Sequence, residues 1–389
     1  MTKRKKAAVS TAILRRLEIE RWERRLTEKG KKQARRRMAS GSGEHRPRVP
    51  RFSLAQRVGK KEEPLFEITV PARLNLEGAH TETCDFVWSI RQAVRARRRV
   101  LLDFSKVESI RASALTYLLG QIHKLRLEFG DDCVTGTYPE SARVERALAV
   151  SGFYDLLKVK SRDAAVSTSR TMRYIRFKTD QKINGAEIGK VREELLGADL
   201  SMPSRIAKTI FRAVSEAMTN VNHHAYFQKQ FVNAKAEQRL SGRWWLFATL
   251  NVPGKMFSVV FYDAGVGIPK TLPRRYPAEV IMQVLSQLPG IIPNDGQMIA
   301  AAMVLGRTRT DMDNRGKGLM DLAKLIDQVG AGKMQIFSRQ GRYSYSSGVG
   351  SHSSGRGRLE GTLIEWRLPL DMALDALPEE LQNEAAIDS

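Results

Sequence analysis

A carboxylate and an amide at helical spacing are the first candidates for chemistry in this chain. Glu216 and Asn220 are four residues apart in a segment, 204–226, that is predicted to be helical, so they share one face, and His224 lies one turn further on. An Asn oxygen suits Mg²⁺, and a neighbouring Glu could orient or deprotonate a nucleophile that attacks a terminal phosphate. Taken alone, the segment fits an ordinary polar helix face with an i, i+4 pair better.

A second candidate begins where a predicted strand ends, in the run Asp263-Ala-Gly265-Val-Gly267-Ile268-Pro269. An Asp in this position can accept a hydrogen bond from the exocyclic amine of adenine. The two glycines let the backbone turn tightly and approach a ligand closely. A glycine-rich turn without any ligand explains the same residues.

The third and fourth segments are short. Arg315-Gly316-Lys317-Gly318-Leu319 directly precedes a helical pattern, so its backbone amides could face phosphate oxygens, with two cations beside them. Many loops end in this way. Gly361-Thr362 begins a predicted strand and indicates nothing by itself.

The order and spacing of these four segments resemble the four sequence boxes of the GHKL ATPases. The resemblance covers about half of the chain. It implies the Bergerat fold for residues 170–370, an α/β sandwich with a mixed sheet and helices on one face, and it implies ATP and Mg²⁺ as ligands. The stretch 270–315 would then be the ATP lid, and its segment 279–288 is predicted to be helical.

The resemblance also implies a role for each matching residue. Glu216 would be the catalytic base and Asn220 the Mg²⁺ ligand. The other residues of the four boxes would contact the nucleotide, with the second box and Thr362 near the base and the third box at the phosphates: His224, Asp263, Gly265, Gly267, Ile268, Arg315, Gly316, Lys317, Gly318, Leu319 and Thr362.

Within that superfamily the first box, Glu216-Ala-Met-Thr-Asn220 followed by His224-Ala-Tyr, is most similar to the anti-sigma serine kinases. Histidine kinases fit less well, because none of the six histidines lies in a His-Glu/Asp helix with dimerising heptads. Gyrase, Hsp90 and mismatch-repair types carry a further domain, whereas only an acidic and polar tail, 371–389, is expected after Leu370.

The segment 64–160 is predicted to be a separate small α/β domain, because short apolar runs alternate with helical patterns. The run Val100-Leu-Leu-Asp-Phe and the turn that follows resemble the STAS domains, the anti-sigma-factor antagonists. In that family a Ser of the turn accepts phosphate, but Ala112 stands at this position and Ser113 is one residue away. The resemblance implies a degenerate STAS-like domain kept for contacts; an unrelated α/β domain is the alternative.

The charge is concentrated at the N-terminus. The chain has 389 residues and a formal net charge of +23. Residues 1–61 contain 21 Lys and Arg against 5 Asp and Glu, a net charge of +16. The tail 1–63 is predicted to contain an amphipathic helix over 11–37 and a linker over 38–50. It could bind nucleic acid through counterion release, or it could simply be solvated.

The chain has no run approaching the roughly 20 apolar residues of a membrane helix, and its start is charged rather than apolar. Two cysteines are too few for a disulfide framework. We therefore expect a cytoplasmic protein that does not enter a membrane.

Two functions from different classes stay open at this point. One is an enzyme, either an ATPase or a serine/threonine kinase acting on a protein partner in a partner-switching circuit. The other is a binding module in which ATP closes a lid and changes contacts with protein or nucleic acid. A scaffold with a dead site is a third reading, against which the four intact boxes argue. A homodimer is also possible by analogy. The Gly/Ser-rich stretch 344–357 is predicted to be a flexible hairpin loop.

Overall fold

The structure is a computed structural model that describes residues 64–162, 172–181, 204–221, 225–226, 234–251, 255–288, 293–306 and 318–369. All of these residues belong to one compact unit, Pro50–Ser389. The predicted elements at 11–37, 38–50 and 371–389 lie outside the described residues. Of the helices that are described, none combines the length and the apolar character needed to cross a bilayer.

The first half of this unit is built around a parallel sheet. Strands β1 (Phe66–Thr69), β3 (Val100–Asp103) and β5 (Val134–Gly136) pair in the order β1-β3-β5, and the short strands β2 (Arg73–Leu74) and β4 (Ser109–Ile110) pair separately, also in parallel. Helices connect the strands: α1 (His80–Arg95), α2 (Ala112–Phe129), α3 (Ala142–Ser151) and α4 (Phe153–Leu157). The predicted alternation of strands and helices over 64–160 is therefore confirmed.

Local sequence signals explain the bounds of α3. The Ser141 hydroxyl accepts a hydrogen bond from the Val144 amide at 3.4 Å, and Gly152 ends the helix in the left-handed conformation at φ +85°. A Ser N-cap and a Gly after the last turn are the usual signals for a helix start and end. Both ends of α3 are therefore set by residues next to the helix in the sequence.

The second half contains one five-stranded sheet. Its strands are β6 (Met172–Asp180), β7 (Trp244–Asn251), β8 (Met256–Asp263), β9 (Lys333–Ser346) and β10 (Val349–Pro369), in the order β6-β7-β8-β10-β9. The prediction of a mixed sheet is wrong, because every pairing between these strands is antiparallel. Short connections join β7 to β8 and β9 to β10, and only antiparallel neighbours can be joined in that way.

The expectation of a flexible loop over 344–357 is also wrong. Strands β9 and β10 run through this stretch, and only Ser347 and Gly348 form the turn, with φ of +45° and +84°. Two central residues with positive φ match the twist of a tight hairpin. The small residues pack closely here, since a β-carbon at Gly350 would overlap the Tyr343 hydroxyl.

Six helices accompany this sheet in the described residues: α5 (Ser204–Asn220), α6 (Ala234–Leu240), α7 (Ile268–Arg275), α8 (Ala278–Leu285), α9 (Asp295–Leu305) and α10 (Gly318–Val329). Apolar residues of α5, α9 and α10 share a core with one face of the sheet. The predicted helix 204–226 ends earlier, at Asn220. The predicted helical middle of the 270–315 stretch corresponds to α8, and α7 and α9 were not predicted.

Helices α1 and α2 of the first half cover the other face of the sheet, a contact that the sequence interpretation did not predict. Trp245, Tyr262 and Leu363 belong to the same buried cluster as residues of α1 and α2. Successive side chains of a strand point to opposite faces, so Trp244 and Leu246 enter the first core and Trp245 enters the second. The two halves of the unit therefore share a core, and burial on both faces explains the unbroken apolar run of β7.

Polar contacts reinforce this shared core. Glu77, which precedes α1, accepts hydrogen bonds from Lys333 of β9 at 2.7 Å and from Arg367 of β10 at 2.7 Å. Partial burial opposes ionisation of Glu77, but these hydrogen bonds outweigh it and lower the pKa of the carboxyl to about 2. Glu77 is thus ionised and joins the segment before α1 to the sheet through these two ion pairs.

Candidate functional site

A cleft opens between α5, the paired ends of β8 and β10, and the helices α7, α9 and α10. Its walls come from segments that are far apart in the sequence: Ala217, Asn220, Ala225, Phe261, Asp263, Gly267, Ile268, Thr271, Leu272, Arg275, Tyr276, Ala302, Gly306, Leu319, Leu322, Thr362 and Ile364. The cleft brings together residues from all four candidate segments. Most of its lining is apolar, with a few polar groups, which is the usual composition of a small-molecule site.

Asp263 is the buried polar group of the cleft. It ends β8, is only 6% exposed, and pairs in register with Thr362 of β10. The Gly265 amide donates a hydrogen bond to Asp263 Oδ1 at 2.8 Å. Burial raises the pKa of this carboxyl to about 7, although hydrogen bonds from Gly265 and Thr362 oppose the rise. A ligand that donates a hydrogen bond to such a buried carboxyl would offset part of the free-energy cost of its burial.

The glycines around Asp263 allow the backbone to approach closely. Gly361 has φ +86°, and a β-carbon there would overlap the Asp263 carbonyl oxygen. A β-carbon at Gly265 would overlap the Ala225 carbonyl oxygen. Any larger residue would therefore push these strands and turns apart. The tight turn predicted for the second segment is present, and Gly265 packs against protein backbone there.

The residues that follow the first segment tie α5 to the second segment. The Ala225 carbonyl accepts a hydrogen bond from the Val266 amide at 2.8 Å. The Tyr226 hydroxyl accepts one from the Ala264 amide at 3.1 Å and donates one to the Arg243 carbonyl at 2.6 Å. The Ala-Tyr pair thus positions the turn after Asp263, a structural role that the sequence interpretation did not assign.

Glu216 and Asn220 lie on one face of α5, as predicted. Both are half-buried, and the Asn220 amide nitrogen donates to Glu216 Oε1 at 3.2 Å. That bond leaves the side-chain oxygen of Asn220 for other partners, and Asn220 also lines the cleft. Glu216 itself is not among the residues that line the cleft and lies one helical turn before Asn220 on α5.

The third segment is described only at its end. Gly318 begins α10, and Leu319 and Leu322 line the cleft. The N-terminus of α10 is therefore at the cleft, where free amides and the helix dipole favour an anion. His224, Arg315, Gly316 and Lys317 lie outside the described residues.

The sequence interpretation missed several residues of the site. Ser338, in the middle of β9, accepts a hydrogen bond from the Ile268 amide at 3.0 Å and donates one to the Gly361 carbonyl at 2.8 Å. No local motif marks this serine. Thr271 and Arg275 also line the cleft, one helical turn apart on α7. Continuing the helix through Pro269 would have found them, because Pro is favoured in a first helical turn.

Ser113, the nearest hydroxyl to the phosphoacceptor position of the STAS domains, lies elsewhere. It is 2% exposed at the start of α2 and hydrogen-bonds Glu365 of β10. Glu365 points away from the cleft, since it is one residue from Ile364, which lines it. Ser113 is therefore part of the contact between the two halves of the unit.

Within the described part of the chain, no group of three or more His, Cys, Asp or Glu side chains is placed to hold a metal ion. Cys84 and Cys133 are both buried and free. No protein-family model matches this chain, and no curated protein matches it. The functional assignment therefore rests on the residues of the cleft.

Proposed function

We propose that this chain binds Mg-ATP in the cleft and either hydrolyses it or transfers its terminal phosphate to a partner protein. One observation carries the proposal. Asn220, Asp263 and Thr362 come from three separated segments, yet they line a single cleft that also receives the N-terminus of α10. Ordinary polar surface residues have no reason to converge in this way.

The base would bind at the closed end of the cleft. Asp263 would accept a hydrogen bond from an exocyclic amine, which favours adenine over guanine because guanine presents a carbonyl oxygen at that position. Apolar lining such as Ile268 and Leu319 would pack on the base.

The phosphates would extend toward α5 and the N-terminus of α10. Amides of α10 and the Arg275 guanidinium would attract the negative charge. Asn220 would supply an oxygen to Mg²⁺, which when bound neutralises charge on the phosphate oxygens. Glu216 would take a proton from the attacking hydroxyl or water. At the same time, the oxygen of that hydroxyl or water would bond to the terminal phosphorus. The bond from that phosphorus to the bridging oxygen breaks, and ADP leaves with the electron pair.

The resemblance to GHKL ATPases and to STAS domains supports this proposal at the level of the fold. We infer a Bergerat-type arrangement for residues 170–370, here with an antiparallel sheet instead of a mixed one, and a STAS-like arrangement for 64–160, on the grounds of the α/β layers and of the four boxes. Since Ser113 is buried behind the sheet, a kinase of this kind would phosphorylate a hydroxyl of another protein chain.

A second candidate function is an ATP-gated binding module. The buried Ser113 and the basic segment 1–61 favour it, because both fit a protein that makes contacts rather than one that phosphorylates its own STAS-like region. In that case nucleotide binding would alter contacts with a protein or with nucleic acid, and hydrolysis would be incidental.

Calorimetric titration of the full chain with ATP and with GTP, each with and without Mg²⁺, tests the proposal. We expect ATP to bind more tightly than GTP and Mg²⁺ to strengthen binding. Asn220→Ala should remove the effect of Mg²⁺. Glu216→Gln should bind ATP normally but lose turnover, and the exposed Glu67→Gln is a matched control that should keep both. Absence of ATP binding in the wild type would refute the proposal. Binding without turnover would leave the gated module.

A further inference from the structure

The base end of the cleft is supported from behind by the first half of the unit. Asp263 faces the cleft, and the preceding residue of β8, Tyr262, points to the opposite face of the sheet and is fully buried against α2. On β10, Thr362 lies opposite Asp263, and Glu360 precedes it by two residues. The residues that contact a base and those that contact α1 and α2 are therefore sequence neighbours.

Tyr262 connects three elements. Its hydroxyl accepts a hydrogen bond from the Gln121 side chain of α2 and donates one to the Glu360 carbonyl at 2.8 Å. The ring of Tyr117 lies edge-on to it at 5.5 Å. Gly120 provides the space, since a β-carbon there would come within 2.6 Å of the Tyr262 ring. The Tyr262 side chain thus links helix α2 to both β8 and β10.

Glu360 is held by both helices. Its carboxylate pairs with Arg91 of α1 at 2.7 Å and with Lys124 of α2 at 2.7 Å, and its backbone amide donates to the Tyr117 hydroxyl at 3.3 Å. Burial opposes ionisation, but the two cations outweigh it and lower the pKa of the carboxyl to about 2. Together with Tyr262, four contacts from behind the sheet converge on this residue.

The backbone at Glu360 is irregular, and this irregularity places Thr362. The pairing of β10 with β9 shifts between Leu359 and Thr362, and Gly361 there has φ +86°. A bulge of this kind re-aims the side chains that follow it. If Glu360 moved, Gly361 and Thr362 would move relative to Asp263, and the base site would change.

We propose that helices α1 and α2 set nucleotide affinity and base selectivity from behind the sheet, with Tyr262 and Glu360 as positioning residues. The proposal rests on the nucleotide function inferred above. It assigns residues 64–162 a part in recognition without any contact to the ligand. A purely structural support would affect the stability of the whole unit and leave the bulge and the selectivity unchanged.

The test compares Tyr262→Phe and Glu360→Gln with Tyr154→Phe. Tyr154 is also buried, and its hydroxyl donates a hydrogen bond to the Glu145 carboxylate at 2.6 Å, so this bond joins two helices of the first half of the unit rather than a helix and the sheet. Two quantities are measured on the full chain: affinity for ATP and GTP, and amide hydrogen exchange of the 359–364 peptide without ligand. Lys124→Gln is a milder variant in case Glu360→Gln fails to fold, because Arg91 still pairs with Glu360.

We expect exchange of the 359–364 peptide to rise about tenfold in the two interface variants, and ATP affinity to fall by a similar factor, as for the loss of one buried hydrogen bond. The preference for ATP over GTP should narrow as well. Tyr154→Phe should lower the unfolding temperature and leave these quantities unchanged.

The possible failures are distinguishable. If the wild type binds ATP and the interface variants exchange and bind like Tyr154→Phe, the positioning role is refuted while the proposed function stands. If the wild type binds neither nucleotide, the proposed function is refuted. The proposed influence of α1 and α2 on nucleotide affinity is then refuted as well. The exchange measurement then decides separately whether the rear contacts hold the bulge.

Discussion

Replacing Asp263 by Asn should remove a pH dependence from the stability of this protein. The Asp263 pKa is raised from 3.8 to about 7 by burial. Between these two values the folded chain retains a proton that the unfolded chain has lost, so stability falls as pH rises through this window and levels off above about pH 7. Asn keeps an oxygen to accept from the Gly265 amide and does not titrate.

The size of the effect follows from the shift. One pKa unit corresponds to about 1.4 kcal/mol, so a shift from 3.8 to about 7 amounts to about 4 kcal/mol over the whole window. The part of the window above pH 5 covers two units and corresponds to about 3 kcal/mol. Asp263→Asn should therefore gain about 3 kcal/mol relative to wild type between pH 5 and pH 8.

Urea unfolding of both proteins at pH 5, 6, 7 and 8 measures this difference, because the contributions of all other groups cancel. Asp132→Asn, a substitution of an exposed acid, is the matched control and should run parallel to wild type. Parallel curves for Asp263→Asn as well would show that the carboxyl is ionised in the folded protein, and the reasoning from its burial would be wrong.

Two further substitutions probe the close contacts around the site. Gly361→Ala should lower stability by about 2 kcal/mol or more and abolish ATP binding, because the alanine would be strained at φ +86° and would overlap the Asp263 carbonyl. Urea unfolding measures the loss of stability and calorimetric titration measures the loss of ATP binding. An ATP affinity equal to that of the wild type would contradict the prediction. Gly120→Leu should cost about 1 to 3 kcal/mol by overpacking against Tyr262 and should weaken ATP binding. Gly355→Leu is the control, because Gly355 is exposed and a β-carbon there would meet its nearest neighbours only at 3.7 Å or more. Equal ATP affinity in both variants would count against a rear contact.

Some features were predictable because they depend on residues close in sequence. The bounds of α3 follow from Ser141 and Gly152, which act within one turn of the helix. The face shared by Glu216 and Asn220 follows from helical spacing alone. The tight turn after Asp263 requires small residues, and the sequence has Gly265 and Gly267 at these positions.

Other features depended on partners distant in sequence. Ser338 has no motif around it, and its hydroxyl meets Gly361 only because β9 and β10 pair in one register. The stretch 344–357 has the composition of a loop, but its backbone groups pair across the hairpin and its small residues fit against neighbours. The amino-acid composition of a segment does not reveal these contacts, because it contains no information on which strand pairs with that segment.

The sequence by itself determined which groups are available for chemistry and their order along the chain: the face shared by Glu216 and Asn220, Asp263 at the end of a predicted strand, and the glycines beside it. Only the tertiary structure decided that α1 and α2 cover the back of the sheet, that Ser113 is buried there, and that Tyr262 joins Gln121 and Glu360 behind Asp263. The reason is physical. The spacing of residues within one helix or strand determines which side chains share a face. Which two apolar faces pack together depends on the apolar surface that both remove from water, and this surface involves residues distant in the sequence.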